Sequence, residues 1–133
     1  MSSIFTKIIN REIPAFIVGE DDDNLAFLDI NPLSVGHALV VPKTETDYLF
    51  DLNDDAYTSL NLFAKKVALA IKKVTGKRIG TAVIGLEVPH AHIHLIPFTK
   101  MSELNFSNPK LKLTNEQFAE TSGKIFEAFS ETR

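Results

Sequence analysis

The sequence predicts an α+β fold in which helices pack on a central antiparallel sheet of about five strands. Three observations predict it: short β-prone runs joined mostly by short loops, a long amphipathic helical segment between them, and no alternating β-α-β series. The 133 residues, 44% apolar and 23% charged, are typical of one globular domain. We expect a single domain over residues 1–133, with its core at about 3–100 and a helical tail at about 114–130.

The first half of the chain is expected to form a short helix followed by strands. Apolar residues at helical spacing follow Ser3, a candidate N-cap, and predict a short helix that ends near Asn10. Two β-prone runs flank an acidic loop at residues 21–24, which is the pattern of an antiparallel hairpin. The strands expected here cover residues 16–20, 25–29 and 37–42.

The second half is expected to contain the longest helix. Asn53 is a candidate N-cap, apolar residues follow at helical spacing from Leu60 to Val74, and Gly76 is a typical stop. A Thr-x-x-Gln capping box begins a final amphipathic helix at residues 114–129. Two further strands are expected over residues 80–84 and 90–97.

The composition excludes several classes of protein and site. The absence of cysteine excludes a disulfide framework, a thiolate zinc site and a cysteine nucleophile. A net charge of −3 gives no broad basic surface for extended nucleic acid. The longest all-apolar run, residues 67–71, is far too short for a membrane helix, and the first residues lack the apolar core of a secretory signal. We therefore expect a cytoplasmic protein without a membrane span.

An alternating string of histidines is the strongest functional signal: His90, His92 and His94. Side chains two residues apart in a strand share a face, so the string predicts three imidazoles on one face and three buried apolar residues, Ala91, Ile93 and Leu95, on the other. Three adjacent imidazoles are poor packing groups, because each needs hydrogen-bond partners when buried and they repel one another when protonated. We interpret the string as part of a functional site.

Two kinds of chemistry fit the string. Two of its histidines and a third ligand from elsewhere can bind zinc or iron, as in a metal-dependent hydrolase or oxygenase. Alternatively, a neutral imidazole attacks a phosphate ester while its neighbours bind the phosphate oxygens, and mutual repulsion lowers imidazole pKa values and favours the neutral form. The preceding segment begins at Gly85, and backbone amides in such turns bind anions, which favours the second chemistry.

A carboxylate and a fourth histidine lie in the first half of the chain, at Asp29 and His37. They end one predicted strand and begin the next. A carboxylate accepts hydrogen bonds from the two hydroxyls of a ribose, so Asp29 is a candidate sugar ligand; the alternative is a solvated or turn-capping role.

The segment at residues 90–96, His-Ala-His-Ile-His-Leu-Ile, resembles the signature of the histidine-triad (HIT) family of nucleotide hydrolases and transferases. Further segments match the family in order, at residues 4–9, 12–14, 29–32, 36–37 and 42–43, so the resemblance runs from Ser3 to about Pro97. It implies the HIT-like α+β fold, with a central antiparallel sheet, one long helix, a short N-terminal helix and a C-terminal helix. It also implies a homodimer with the long helix, residues 60–74, at the interface.

The same resemblance implies a hydrolase that uses no metal or other cofactor in the chemical step. Its expected substrates are nucleoside phosphoramidates or related adenylated compounds, cleaved at the α-phosphate through a covalent nucleotidyl-histidine. His92 matches the nucleophile, and His94 matches the histidine that contacts the phosphate and the leaving group. His90 and His37 match two supporting histidines. The family's transferase branch has Gln at the position of His94, so hydrolysis is favoured over transfer.

Nucleotide-binding residues follow from the resemblance too. Asp29 matches the ribose-binding acid and Ile30 the apolar residue that lines the base pocket, so the expected ligand is a purine nucleotide or conjugate. The loop of Gly85, Leu86 and Glu87 is expected near the phosphate. Many members have Gln at the position of Leu86 and an Asn some ten residues before the string, and this chain has neither. Glu87 either takes over part of that polar role or is a solvated loop residue.

Three alternative functions stay open at this point. They are a dinucleoside polyphosphate hydrolase, a metal-dependent His-x-His hydrolase, and a nucleotide-binding module with weak catalysis. In the third, the altered loop at Leu86 binds a nucleotide and handles leaving groups poorly.

Overall fold

The computed structural model describes residues 3–131, which form a five-stranded antiparallel sheet with three α-helices. The strands lie in the order β1-β2-β3-β5-β4, and each neighbouring pair is antiparallel. The elements are α1 Ile4–Ile9, β1 Ile17–Glu20, β2 Asn24–Leu28, β3 Ala38–Pro42, α2 Asp54–Thr75, β4 Arg78–Ala82, β5 Ile93–Phe98 and α3 Asn115–Glu131. This architecture confirms the predicted α+β class.

The helix ends form where the sequence predicts them. The Ser3 hydroxyl accepts a hydrogen bond from the Thr6 amide at the start of α1, and Asn53 Oδ1 accepts one from the Ala56 amide at 2.8 Å. Gly76 ends α2 with a φ of 70°, a conformation that glycine adopts without a side-chain clash. The capping box at the start of α3 is present in full, with reciprocal bonds between Thr114 and Gln117.

The last two strands differ from the prediction. β5 begins at Ile93, so His90 and His92 precede the strand and do not lie within it. The reason is that the backbone there bonds elsewhere, since the Ala91 amide donates to the Thr46 carbonyl at 2.6 Å. β4 covers Arg78 to Ala82, two residues earlier at each end than expected, and it pairs with β5 along its whole length.

The two faces of the sheet have different roles. Helices α2 and α3 cover one face, where Ala91, Ile93 and Leu95 are buried in the larger apolar core, as the alternation predicts. Helix α1 covers part of the other face and forms a smaller core with β2 and β3, made of Phe5, Ile8, Leu25, Phe27, Leu39 and Val41. The rest of that second face is left for the site. Within residues 3–131, no helix has the length and apolarity needed to cross a membrane.

Candidate active site

A cleft of about 530 Å³ opens on the α1 face of the sheet. All but one of the predicted site residues line it, namely Asp29, Ile30, His37, Gly85, Leu86, Glu87, His92 and His94. Apolar side chains that include Ile8, Ile13 and Phe27 also line the cleft. The exception is His90, which is fully buried and does not line the cleft. One cleft therefore combines apolar walls with a concentrated set of polar groups.

The strand connections bring Asp29, His37 and His94 together. Asp29 and His37 flank the β2–β3 connection, and the Asp29 amide donates to the His37 carbonyl at 3.0 Å. Their side chains also meet, since Asp29 Oδ2 lies 3.6 Å from His37 Nε2. In the β3–β5 pair, Leu39 is opposite His94, so the His94 ring lies on the face that carries the cleft.

Hydrogen bonds fix the tautomers of His37 and His94. The Leu33 amide donates to His37 Nδ1 at 3.0 Å, so that nitrogen is unprotonated. A neutral His37 then carries its proton on Nε2 and donates it to His94 Nδ1, 3.0 Å away. A neutral His94 in turn carries its proton on Nε2. His94 therefore accepts a hydrogen bond from His37 at Nδ1 and has a free N–H donor at Nε2.

His92 has the opposite tautomer. Its Nδ1–H donates to the backbone carbonyl of His90 at 2.8 Å, so a His92 ring with one proton has an unprotonated Nε2. The rings of His92 and His94 are neighbours, with centroids 5.0 Å apart. The site thus presents a lone pair on one imidazole beside an N–H donor on the next, which is the pairing that attack on a phosphate ester needs.

Burial is the main cause of the shifted histidine pKa values. It lowers the pKa of His37 to about 3 and that of His94 to about 4, with the charge of a neighbouring histidine as the second cause in each case. Burial also lowers the pKa of His90, where the charge of His92 is the smallest of the causes. Repulsion between neighbouring imidazoles lowers these pKa values, as expected, and removal from water, which the sequence did not indicate, lowers them more.

Asp29 and Ile30 lie side by side at the cleft. The Asn31 amide donates to Asp29 Oδ1 at 2.9 Å, and Oδ2 faces His37 at 3.6 Å. Burial raises the pKa of the Asp29 carboxyl. Ile30 is 66% exposed, which is unusual for an isoleucine and places an apolar side chain at the open side of the cleft. The pair offers an acceptor for hydroxyl groups next to an apolar contact.

The loop before the histidine string is exposed where it lines the cleft. Gly85 has a φ of 74°, a conformation that L side chains rarely adopt. Leu86 is 88% exposed and Glu87 is also exposed, so neither side chain is held in the protein core. This part of the cleft presents a carboxylate and an apolar side chain to solvent where many relatives of the predicted family have an amide.

Sequence reasoning missed two residues of the cleft, Phe106 and Lys110. They come from the irregular segment after β5, which is held against the β2–β3 connection by a bond from the Leu111 amide to the Pro32 carbonyl at 2.9 Å. The Phe106 ring lies edge-on to His94 with centroids 4.9 Å apart, and Lys110 Nζ donates to the Phe106 and Asn108 carbonyls. This segment has no periodic pattern, so nothing in the sequence indicates that it returns to the site.

One group of side chains has the composition of a metal site. Ligand atoms of Asp29, His37 and His94 lie within 4.8 Å of one another. His37 Nε2 and His94 Nδ1 already form a hydrogen bond of 3.0 Å, and a metal ion bound to either nitrogen would have to break it. His92 is not in the group, so a metal bound there would leave its lone pair uncoordinated.

Comparisons by sequence and by structure find similar proteins of one family. A family model described as HIT domain matches residues 10–101, the part of the chain that holds all of the predicted site residues. The chain is 41% identical over 131 residues to an uncharacterized HIT-like protein of Borreliella burgdorferi, covering 92% of this chain and 94% of that protein. It is 42% identical over 96 residues to an adenosine 5'-monophosphoramidase of Saccharomyces cerevisiae, covering 71% of this chain and 61% of that protein. The crystal structure of a hypothetical histidine triad nucleotide-binding protein from Sulfolobus tokodaii is similar with a TM-score of 0.80 at 28% identity, covering 95% of this chain and 91% of that one.

Proposed function

Since the chain belongs to the HIT domain family, we propose that it hydrolyses nucleoside phosphoramidates or related adenylated compounds at the α-phosphate. The observation that carries the proposal is the pair of opposite tautomers, with an unprotonated Nε2 on His92 beside an Nε2–H on His94. The adenosine 5'-monophosphoramidase among the relatives supports phosphoramidates as the first substrate class. Dinucleoside polyphosphates are the second.

The proposed reaction has two displacements at phosphorus. In the first, His92 Nε2 attacks the α-phosphorus, the phosphorus–nitrogen bond breaks, and the amine leaves after it takes one proton from solvent. His94 Nε2–H donates a hydrogen bond to the phosphate and the leaving group, which stabilises the negative charge of the transition state. In the second, water attacks the phosphorus, the bond to Nε2 breaks, and the nucleoside monophosphate leaves. The proton taken from solvent is then returned, and His92 is regenerated with its proton on Nδ1.

His37 and His90 support the two reacting histidines through their own hydrogen bonds. His37 orients the His94 ring and keeps its proton on the outer nitrogen. The carbonyl of His90 does the same for His92 by accepting its Nδ1–H. Because both bonds involve buried groups with few alternative partners, the nucleophile and the donor are held in the reactive tautomers before substrate arrives.

The nucleotide is proposed to bind with its ribose at Asp29 and its base against the apolar wall. Asp29 keeps acceptor capacity for two hydroxyls, and Ile30 with Ile8 and Phe27 offers flat apolar contacts to a purine. Leu86 and Glu87 are proposed to lie near the leaving group, where the Leu86 side chain has no hydrogen-bond donor and the Glu87 side chain adds a carboxyl group. We therefore expect small amines to be better leaving groups than bulky anionic ones.

We also propose a homodimer built on the edge of the sheet. In the described part of the chain β4 pairs only with β5, so its outer edge has unpaired backbone groups. A groove of about 860 Å³ beside that edge is lined by α2 and by partly exposed aromatic residues, and it meets the catalytic cleft at Gly85, Leu86 and His92. A second copy that continues the sheet would pair the edge and cover the groove. Ala68→Arg, in the groove, should give monomers in multi-angle light scattering, whereas Phe126→Arg on α3 should not.

Hydrolysis of adenosine 5'-monophosphoramidate tests the proposed activity. The wild-type protein should release AMP in the presence of a chelator, and His92→Ala should lose at least about a thousandfold in kcat, as expected for loss of a nucleophile. A turnover that needs zinc or iron would instead support a metal site at Asp29, His37 and His94. Tight AMP binding without turnover of any adenylated compound would support a binding module.

A further inference from the structure

Helix α1 is joined to the histidine string by a chain of hydrogen bonds that begins at Glu45. Glu45 Oε1 accepts from the Ser3 amide and from the Thr6 hydroxyl, at 2.7 Å in both cases. The Ser3 hydroxyl lies 2.8 Å from His90 Nδ1. Because His90 Nε2–H donates to the Pro42 carbonyl at 2.8 Å, a neutral His90 has an unprotonated Nδ1, and the Ser3 hydroxyl is the donor.

The chain of bonds continues from His90 to His92. His90 is 0% exposed and its ring is held at both nitrogens, so its backbone is held as well. The carbonyl of that backbone is the group that accepts His92 Nδ1–H. Phe5 of α1 also packs on both rings, edge-on, with centroids 5.8 Å from His90 and 5.0 Å from His92. A shift of α1 would therefore reach His92 through the carbonyl bond and through Phe5.

The Glu45 carboxylate can anchor the start of α1 because hydrogen bonds stabilise its ionised form. The Ser3 amide is the first cause that lowers the pKa of Glu45, to about 2, and the Thr6 hydroxyl is the second. The carboxylate is therefore ionised at neutral pH and accepts both bonds. Glu45 lies on an exposed part of the segment between β3 and α2, and it does not line the cleft. Its effect on the site must act through Ser3.

We propose that Glu45 and Ser3 are positioning residues for the nucleophile, and that they hold His92 in its Nδ1–H tautomer through His90. This inference rests on the proposed role of His92. The alternative is that Glu45 only anchors α1 as one wall of the cleft. The two roles differ in their consequences: positioning of His92 affects kcat and the His92 tautomer, whereas a loosened wall affects KM alone.

The experiment compares Glu45→Ala with two matched variants. In Glu45→Gln the amide oxygen still accepts both hydrogen bonds, so this variant should behave like the wild type. Glu120→Ala removes an exposed carboxylate on α3 that pairs with Lys124, so it controls for loss of a surface charge. Ser3→Ala breaks the chain at its second bond and gives an independent test if Glu45→Ala does not fold.

Two measurements are made on each variant. Nitrogen-15 NMR of the histidine rings reports the His92 tautomer, and hydrolysis of adenosine 5'-monophosphoramidate gives kcat and KM separately. We expect Glu45→Ala and Ser3→Ala to populate both His92 tautomers and to lower kcat by about tenfold to a hundredfold, the size of effect that a displaced catalytic group produces. Glu45→Gln and Glu120→Ala should match the wild type in both measurements.

The proposal is overturned if Glu45→Ala keeps the single wild-type tautomer with an unchanged kcat, whether or not KM rises. It is also overturned if Glu45→Gln is as impaired as Glu45→Ala, because the bonds would then not be the cause. If the wild-type protein hydrolyses no phosphoramidate, the proposed function fails, and the tautomer measurement alone decides whether Glu45 positions His92.

Discussion

Burial of His37 and His94 predicts that the protein loses folding stability steeply between pH 7 and pH 5. The folded-state pKa is lowered to about 3 for His37 and to about 4 for His94, against an ordinary value of 6.5. Between these values the unfolded chain binds a proton at each histidine and the folded chain does not, so the free energy of unfolding falls as the pH falls. The loss is about 2 kcal/mol per histidine, or about 4 kcal/mol for the pair, from pH 7 to pH 5.

Other titrating groups act on this slope in both directions. Burial lowers the pKa of His90, which adds to the loss in the same direction. Burial raises the pKa of Asp29, so the folded state gains its proton first and offsets part of the loss at the acid end. Glu20, Glu45 and Glu103 have lowered pKa values, and their stabilisation is lost only below their ordinary value of 4.5.

Urea unfolding at pH 7, 6 and 5 measures the effect. In each protein the quantity compared is the free energy of unfolding at pH 7 minus that at pH 5, so a general loss of stability cancels. We expect this difference to be smaller by about 2 kcal/mol in His37→Gln than in the wild type, because one buried neutral histidine is gone. An equal difference in the two proteins, or a wild-type stability that is flat over the range, would show that burial does not keep His37 neutral in this way.

Three further variants test the fold and the ligand site. Asn53→Ala removes the side chain that accepts from the Ala56 amide, and should lower the free energy of unfolding by about 1 kcal/mol; no change in urea unfolding would mean that this cap contributes nothing. Phe129→Ala leaves a cavity between Gly19 and Phe63 and should lower the free energy of unfolding by about 3–5 kcal/mol. A decrease below about 1 kcal/mol in urea unfolding would contradict this packing. Asp29→Asn should raise the Kd of AMP by about tenfold in calorimetry and leave the Kd of a ribose-free phosphate compound unchanged, since a charged hydrogen bond is lost; equal weakening of both would contradict a ribose contact.

Local sequence signals predicted the elements well because they act over a few residues. Ser3, Asn53 and Gly76 bond to or shape the backbone within one helical turn, so their roles are readable from composition and spacing. The alternation around Ile93 likewise predicted which side chains enter the larger core. The start of β5 was not predictable, because a carbonyl at Thr46, far away in sequence, pairs the backbone of Ala91 outside the sheet.

Some residues of the candidate site could be predicted from the sequence, and others could not. The histidines and Asp29 were found because their residue types and spacing already carry chemical meaning. The sequence did not indicate three other residues, because each lies in a segment without regular secondary structure. Phe106 and Lys110 line the cleft, and Glu45 contacts Ser3 of the N-terminal helix cap. The tautomers also depend on tertiary contacts, since they follow from the Leu33 amide and the His90 carbonyl. Sequence patterns thus predicted the polar residues that the fold brings together, whereas their tautomers depend on the fold.

Intact mass spectrometry can determine whether His92 Nε2 forms the proposed covalent bond to phosphorus. His94→Ala protein is mixed with adenosine 5'-monophosphoramidate, so that loss of the neighbouring donor slows turnover and the adduct is trapped. We expect one added nucleotidyl group per chain, mapped to His92 by peptide sequencing and absent from the His92→Ala, His94→Ala double variant. An adduct on another residue, together with normal turnover by His92→Ala, would contradict it.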